Sequence, residues 1–207
     1  MSLETSPAQS ARSLNEAGFT FMFAPIYHPA MKNVAPVRRE LGIRTIFNIL
    51  GPLTNPARAT HVLVGVARED QLELVGDVLR ALGVRAGAVV HAHSGIDEIS
   101  GEGPTAVYEF GEGWSKRWTL NPDEFGVRAT AGEIRGGPTE QCRKAFESIL
   151  AGERSPRSDV VALNAAVTFR ICGRTADIHE GMELARTQLY EGGAAALFAR
   201  AAEYSHG

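Results

Sequence analysis

The stretch 61-HVLVGVAREDQLELVGDVLRALGVRAGAVVHAH-93 decides the fold. Its first seven residues, 61–67, are a nearly all-apolar run of the length expected for a strand buried on both faces. The period then changes. Leu72, Val75, Val78, Leu79 and Leu82 recur at helical spacing, which predicts an amphipathic helix over 69–82 with one apolar side. Residues 86–93, AGAVVHAH, read again as a buried strand. Strand, helix and strand at this spacing form a βαβ unit, and the crossover implies parallel pairing.

On the N-terminal side, residues 6–17 read as a helix with Ser6 as N-cap, Pro7 at the first helical position and Gly18 as the stop. FTFMF, 19–23, is a short apolar run that predicts another buried strand. Pro29 opens a predicted helix to about Leu41, closed by Gly42. On the C-terminal side, TAVYEF (105–110) and SKRWTL (115–120) flank GEGW, the pattern of an antiparallel hairpin. From Glu140 the chain reads as helical in three pieces, 140–151, 157–171 and 177–204, with Gly173 and the EGG at 191–193 as breaks. The fold class is α/β: a mostly parallel sheet with flanking helices, a β-hairpin insertion and a helical C-terminus, taken as a single domain over 1–207.

Composition excludes several classes of function. A hydrophobic content of 44% with 22% charged residues is ordinary for a globular protein. A net charge of −3 gives no broad basic field for nucleic acid. No apolar run approaches the ~20 residues of a membrane span, and the first residues lack the pattern of a secretory signal. Cys142 and Cys172 are far apart and show neither metal-ligand spacing nor a redox motif, which fits a reduced, cytoplasmic protein. A P-loop, a Gly-x-Gly-x-x-Gly turn and a Gly-x-Ser-x-Gly elbow are all missing from the 207 residues.

In parallel α/β sheets, ligands sit beyond the carboxyl ends of the strands. Two segments fall there: APIYHP after the predicted strand 19–23, and SGIDEIS (94–100) after the strand 86–93. On the predicted helix 29–41, Arg38 shares the face of Met31 and Val34. A guanidinium on an apolar face needs an anion, either a ligand carboxylate or phosphate or an internal acid. His28, at the strand-to-helix turn, can donate a hydrogen bond into a cleft or serve as a capping residue. GPLTNP (51–56) reads as a rigid turn that shapes a pocket wall or merely joins two elements. Asp97 and Glu98 stand side by side in a Gly-flanked loop. Such a pair can hold a hard cation, and Mg²⁺ in particular is usually bound by one or two carboxylates plus the oxygens of a substrate phosphate. The same pair can equally be a solvated acidic loop.

FMFAPIYHPAMKNVAPVRRELGIRTIFNILGPLTNPA (21–57) closely resembles a segment of anthranilate phosphoribosyltransferase, and SGIDEIS resembles that family's acidic metal loop. The resemblance continues more weakly to the C-terminus. It implies a nucleoside phosphorylase/phosphoribosyltransferase-like domain and the transfer of a phosphoribosyl group from phosphoribosyl pyrophosphate to anthranilate in tryptophan biosynthesis. It implies further that Arg38 contacts the anthranilate carboxylate, that His28 and Pro52 line the anthranilate channel, and that Asp97 and Glu98 bind Mg²⁺. Complete family members are expected to be homodimers, with no nucleic-acid or membrane partner. The family's Gly-Thr-Gly-Gly-Asp loop and Lys-His-Gly-Asn segment do not occur in these 207 residues. The chain is therefore expected to be a fragment lacking the N-terminal helical domain, and to be inactive alone. Two other readings remain: a non-catalytic remnant that binds an aromatic acid or a partner chain, and a pyrimidine nucleoside phosphorylase relative.

Overall fold

The computed structural model describes residues 2–29, 40 and 47–205. Within the span taken above as one domain, the chain groups into two compact units, 1–56 with 193–207, and 57–192. The predicted helix 29–41, and Arg38 on it, fall almost wholly outside the described residues.

In the first unit, α1 (Pro7–Ala17) forms as the sequence dictates. Ser6 Oγ accepts from the Gln9 N–H, the Gln9 side chain accepts from the Ser6 N–H, Pro7 opens the first turn, and Gly18 closes it in the left-handed region. Four residues, Ala24–Tyr27, form α2, and Phe47–Leu53 form α3.

Residues 19–23 are not a strand. A strand needs a neighbour to accept its ladder, and none of the described residues pairs with this run. The Phe19 carbonyl is instead taken by the Ser13 hydroxyl at 2.6 Å, and Phe19 and Phe21 remain exposed. GPLTNP differs from expectation too. Gly51, Pro52 and Leu53 complete α3, and the chain turns only at Thr54, whose hydroxyl donates to the Leu50 carbonyl at 2.8 Å. Pro52 has no N–H to give the helix, and it stands in the last turn, where the helix is about to end.

The second unit carries the sheet. Its strands are β1 (His61–Gly65), β2 (Ala86–Ala92), β3 (Thr105–Gly111) and β4 (Trp114–Leu120), in the order β1-β2-β3-β4. β1 and β2 are parallel, from His61 opposite Ala86 to Gly65 opposite Val90, and α4 (Leu72–Ala81) makes the crossover after one short 3-10 turn at Glu69–Gln71. This is the predicted βαβ unit. The other two pairings, β2 with β3 and β3 with β4, are antiparallel. Among the described residues the sheet is therefore mixed rather than mostly parallel, because the hairpin joins the sheet at β2 and extends it. Its two-residue connection, Glu112-Gly113, places Gly113 at φ +78°, which suits glycine.

Both faces of the sheet are covered. Leu72, Val75 and Leu79 of α4 are buried against β2 and β3, while Leu82, one residue past the helix, is exposed. Tyr108 donates its hydroxyl to Asp77 of α4 at 2.8 Å and so points to that side. Glu109, one residue on, points to the other. There follow α5 (Ala131–Ile134), α6 (Thr139–Leu150), α7 (Pro156–Ile171) and α8 (Ile178–Tyr190), with α7 packed on β1, β2 and α8. Two-sided cover explains why all seven residues of β3 are buried. The edge strand β4 is mostly exposed.

Finally α9 (Gly193–Ser205) returns to the first unit and packs on α1. Arg200 caps the end of α1 by donating to the Ala17 carbonyl at 2.9 Å, and small residues, Ser10, Ser13, Ala17 and Ala201, are buried there.

Candidate functional site

Asp97 and Glu98 lie just past the carboxyl end of β2, on a loop whose shape is set by its neighbours. The Ala92 N–H donates to the Ile96 carbonyl at 3.0 Å, which folds the chain back immediately after the strand. The Asp97 carbonyl then lies against β1 at Gly65. A Cβ built at Gly65 would stand 1.5 Å from that oxygen, so only a glycine lets the loop come this close. Ile99, with no exposed surface, is driven into the core. Its backbone is met from α7 by Asn164, whose Oδ1 accepts from the Ile99 N–H at 3.3 Å and whose Nδ2 donates to the Ile99 carbonyl at 3.0 Å. Ser100 follows, buried, with its N–H on Thr105 Oγ1 at 3.2 Å.

Between Ile96 and Ile99 the two acidic side chains are exposed. Neither makes a hydrogen bond or an ion pair with any described residue. Around them the pairing differs: Glu69, at the start of the crossover, is engaged by Arg117 and lies 3.8 Å from His93 Nε2. Two adjacent oxygen donors left free on a held backbone suit a hard cation that takes its remaining ligands from water or a phosphate. Among the described residues there is no group of three or more His, Cys, Asp or Glu side chains that could hold a metal by itself. The donor set thus fits Mg²⁺ shared with a substrate and does not fit a closed structural metal site.

The remaining predicted site residues belong to the first unit. His28 does not follow directly on a strand, and the helix predicted after it lies outside the described residues. It closes the short helix α2, with its N–H on the Ala24 carbonyl at 2.9 Å, and is half-buried. Tyr27 beside it donates to Ser10 Oγ at 2.6 Å, which ties this segment to α1. Pro52 is exposed in the last turn of α3. Arg38 lies outside the described residues.

Asn164 and Gly65 were not singled out from the sequence as parts of this site. The signal for Asn164 was an amide inside the apolar run VVALNAAV of a helix, where a polar side chain needs partners. Gly65, a glycine inside an apolar strand, marks a close backbone approach.

Known proteins resemble this chain in sequence and in fold. The family model described as "Glycosyl transferase family, a/b domain" matches residues 1–195, and the chain belongs to that family. Within it, the chain is similar to anthranilate phosphoribosyltransferases. It is 44% identical to the one from Thermomicrobium roseum over 93% of this chain and 56% of the relative, and 43% identical to the one from Symbiobacterium thermophilum over 99% and 60%. The crystal structure of anthranilate phosphoribosyltransferase from Thermus thermophilus superposes with a TM-score of 0.91 at 40% identity, over 100% of this chain and 62% of that one. The Saccharomyces cerevisiae enzyme, solved in complex with PRPP and Mg, gives 0.87 at 25% identity over 99% and 59%. The chain thus spans about three fifths of the length of these relatives.

Proposed function

We propose that this chain supplies the α/β portion of an anthranilate phosphoribosyltransferase, which transfers a phosphoribosyl group from phosphoribosyl pyrophosphate to the amine of anthranilate with release of pyrophosphate. The observation that carries the reading is the free acid pair Asp97-Glu98 on a fixed loop past β2, in a chain more than 40% identical to such enzymes over nearly its whole length. Mg²⁺ held by Asp97 and Glu98 supplies positive charge against the pyrophosphate leaving group. The carboxylates serve here as charged ligands and not as acid or base, and the backbone ties at Ile96 and Ile99 fix where they point. His28 and Pro52 line the channel for the aromatic acid, and Arg38 pairs with its carboxylate through a charge-assisted contact. Holding the amine against the ribosyl carbon is an orientation effect that can reach roughly 7–11 kcal/mol.

The Gly-Thr-Gly-Gly-Asp loop that the family uses for the pyrophosphate does not occur in residues 1–207. Bare carboxylates repel that anion, and backbone N–H groups of such loops are what ordinarily hold it. Residues 1–207 alone are accordingly expected to be catalytically silent. The complete enzyme is expected to be a cytoplasmic homodimer. Among the described residues, no helix is long and apolar enough to cross a membrane.

The test is depletion of anthranilate fluorescence in the presence of phosphoribosyl pyrophosphate and Mg²⁺. It is run on residues 1–207 and on a longer form preceded by the N-terminal portion of a relative. Turnover is expected only from the longer form. A folded longer form that leaves anthranilate untouched would overturn the assigned reaction, and turnover by 1–207 alone would overturn the claim of silence.

A further inference from the structure

We propose that Asn164 is a positioning residue for the acid pair: its side-chain amide, reaching from α7, fixes Ile99 and thereby the direction in which Asp97 and Glu98 offer their oxygens to a divalent cation. The inference rests on the cation-holding reading of that pair. Three observations carry it. Asn164 spends its amide on one task, accepting from the Ile99 N–H at 3.3 Å and donating to the Ile99 carbonyl at 3.0 Å, with a second donated bond to Val160 of its own helix at 2.9 Å. This two-way contact spans 65 residues of sequence and grips both backbone groups of the residue that follows the pair. On the other side of the pair, Ile96 is held by the Ala92 N–H and the Asp97 carbonyl is seated at Gly65. The dipeptide is therefore tied at both ends, while its own side chains have no partner among the described residues. Fixing the backbone under two free carboxylates lowers the ordering cost of cation binding, which is what preorganisation means for a ligand site.

Asn164 touches no metal, so a variant must be distinguished from general loss of packing. Asn164→Leu keeps the approximate volume and removes all three bonds. Val167→Ala, on the same helix and fully buried, weakens the core and leaves the Asn164 amide in place. The probe is Mn²⁺ as a Mg²⁺ surrogate, followed by the loss of its free electron-spin signal during titration of residues 1–207, with Mg²⁺ competition. Amide hydrogen exchange at Ile99 is read in parallel. Asn164→Leu is expected to weaken Mn²⁺ binding about tenfold, or about 1.4 kcal/mol, and to unprotect the Ile99 amide. Val167→Ala is expected to lower stability and leave Mn²⁺ affinity within about twofold, a margin well inside one tenfold step. Should Asn164→Leu not fold, Asn164→Asp reads the same contact, because it keeps the acceptor for the Ile99 N–H and loses both donated bonds. Unchanged Mn²⁺ affinity in these Asn164 variants, while Asp97→Asn with Glu98→Gln abolishes binding, overturns the role of Asn164 alone. Unchanged affinity in that acidic double variant overturns the cation site itself. Equal losses in Asn164→Leu and Val167→Ala reduce Asn164 to a packing residue and also overturn the proposal.

Discussion

Substituting Gly65 by alanine probes how closely the acidic loop depends on β1. Gly65 has no left-handed backbone, so alanine carries no φ penalty there and the effect is purely steric. The new Cβ would stand 1.5 Å from the Asp97 carbonyl oxygen and 2.4 Å from its carbon, and both are backbone atoms that no rotamer change can remove. Restoring ordinary contact at about 3.4 Å requires the loop or the strand to retreat by ~2 Å. The strand cannot yield easily, because Gly65 is in register with Val90 of β2. Neither can Ile99, clamped by Asn164. The displacement therefore falls on residues 94–98, which include the acid pair. Overpacking of this kind costs about 1–3 kcal/mol, and each kcal/mol lowers Tm by about 2–4 °C in a domain of this size. Gly65→Ala is expected to melt several degrees lower and to bind Mn²⁺ at least tenfold more weakly, since a misplacement near 1 Å can cost a catalytic constellation about a hundredfold. Gly51→Ala is the control, because its Cβ meets nothing within 4 Å among the described residues. Thermal melting with Mn²⁺ titration decides the matter. A Gly65→Ala protein that melts and binds like the unaltered chain would refute the seating argument.

Other outcomes follow from separate parts of the chain. Glu109 is buried, accepts from Trp118 Nε1 at 2.8 Å and lies 2.7 Å from Arg170 Nη2, so Glu109→Ala strands a largely buried guanidinium and should cost about 3–5 kcal/mol in denaturant unfolding. Glu109→Gln keeps the Trp118 bond and should cost less; equal costs would count against the ion pair. Glu133 accepts from the Thr130 N–H and hydroxyl, each at 2.8 Å, and the backbone bond above all holds its carboxyl below the ordinary value. Its contribution is thus present above the unfolded carboxylate pKa, near about 4, and is lost as pH falls through the lower folded value. Glu133→Gln should make the acid limb of the stability profile shallower, and an identical limb would remove the cap from the account. Arg38→Ala, in the longer form, should raise the anthranilate requirement about ten- to a hundredfold, the worth of a charge-assisted contact; unchanged anthranilate kinetics would return Arg38 to a structural role.

The sequence was most legible where local chemistry and tertiary pairing coincide. The period change between Gly65 and Leu72 fixes the crossover, and GEGW fixes the hairpin to within a residue at each end. Ser6, Pro7 and Gly18 mark α1 because caps act through neighbouring atoms. Residues 19–23 misled because an apolar run says only that burial is favourable, whereas a strand also requires a partner ladder, and that information is not local. The chain around Pro52 misled for a related reason: a proline breaks a helix interior, but near a helix end its missing N–H costs little. The acid pair was visible as a pair and ambiguous as a site. What separates a solvated loop from a held one is the approach of Gly65 and the grip of Asn164, contacts between residues far apart in the chain. Glu109 was not legible: a hairpin arm read from sequence gives no sign of burial, and only the packing of α7 on the sheet brings Arg170 to it.

The most direct measurement of the central claim is the Mg²⁺ dependence of anthranilate consumption by the longer form carrying Asp97→Asn with Glu98→Gln. Size and hydrogen-bonding capacity stay nearly constant and only the two charges are removed. The rate is expected to fall, and the Mg²⁺ needed for half-maximal activity to rise. An unaltered rate with an unaltered Mg²⁺ dependence would contradict that claim and leave residues 94–100 a solvated acidic loop.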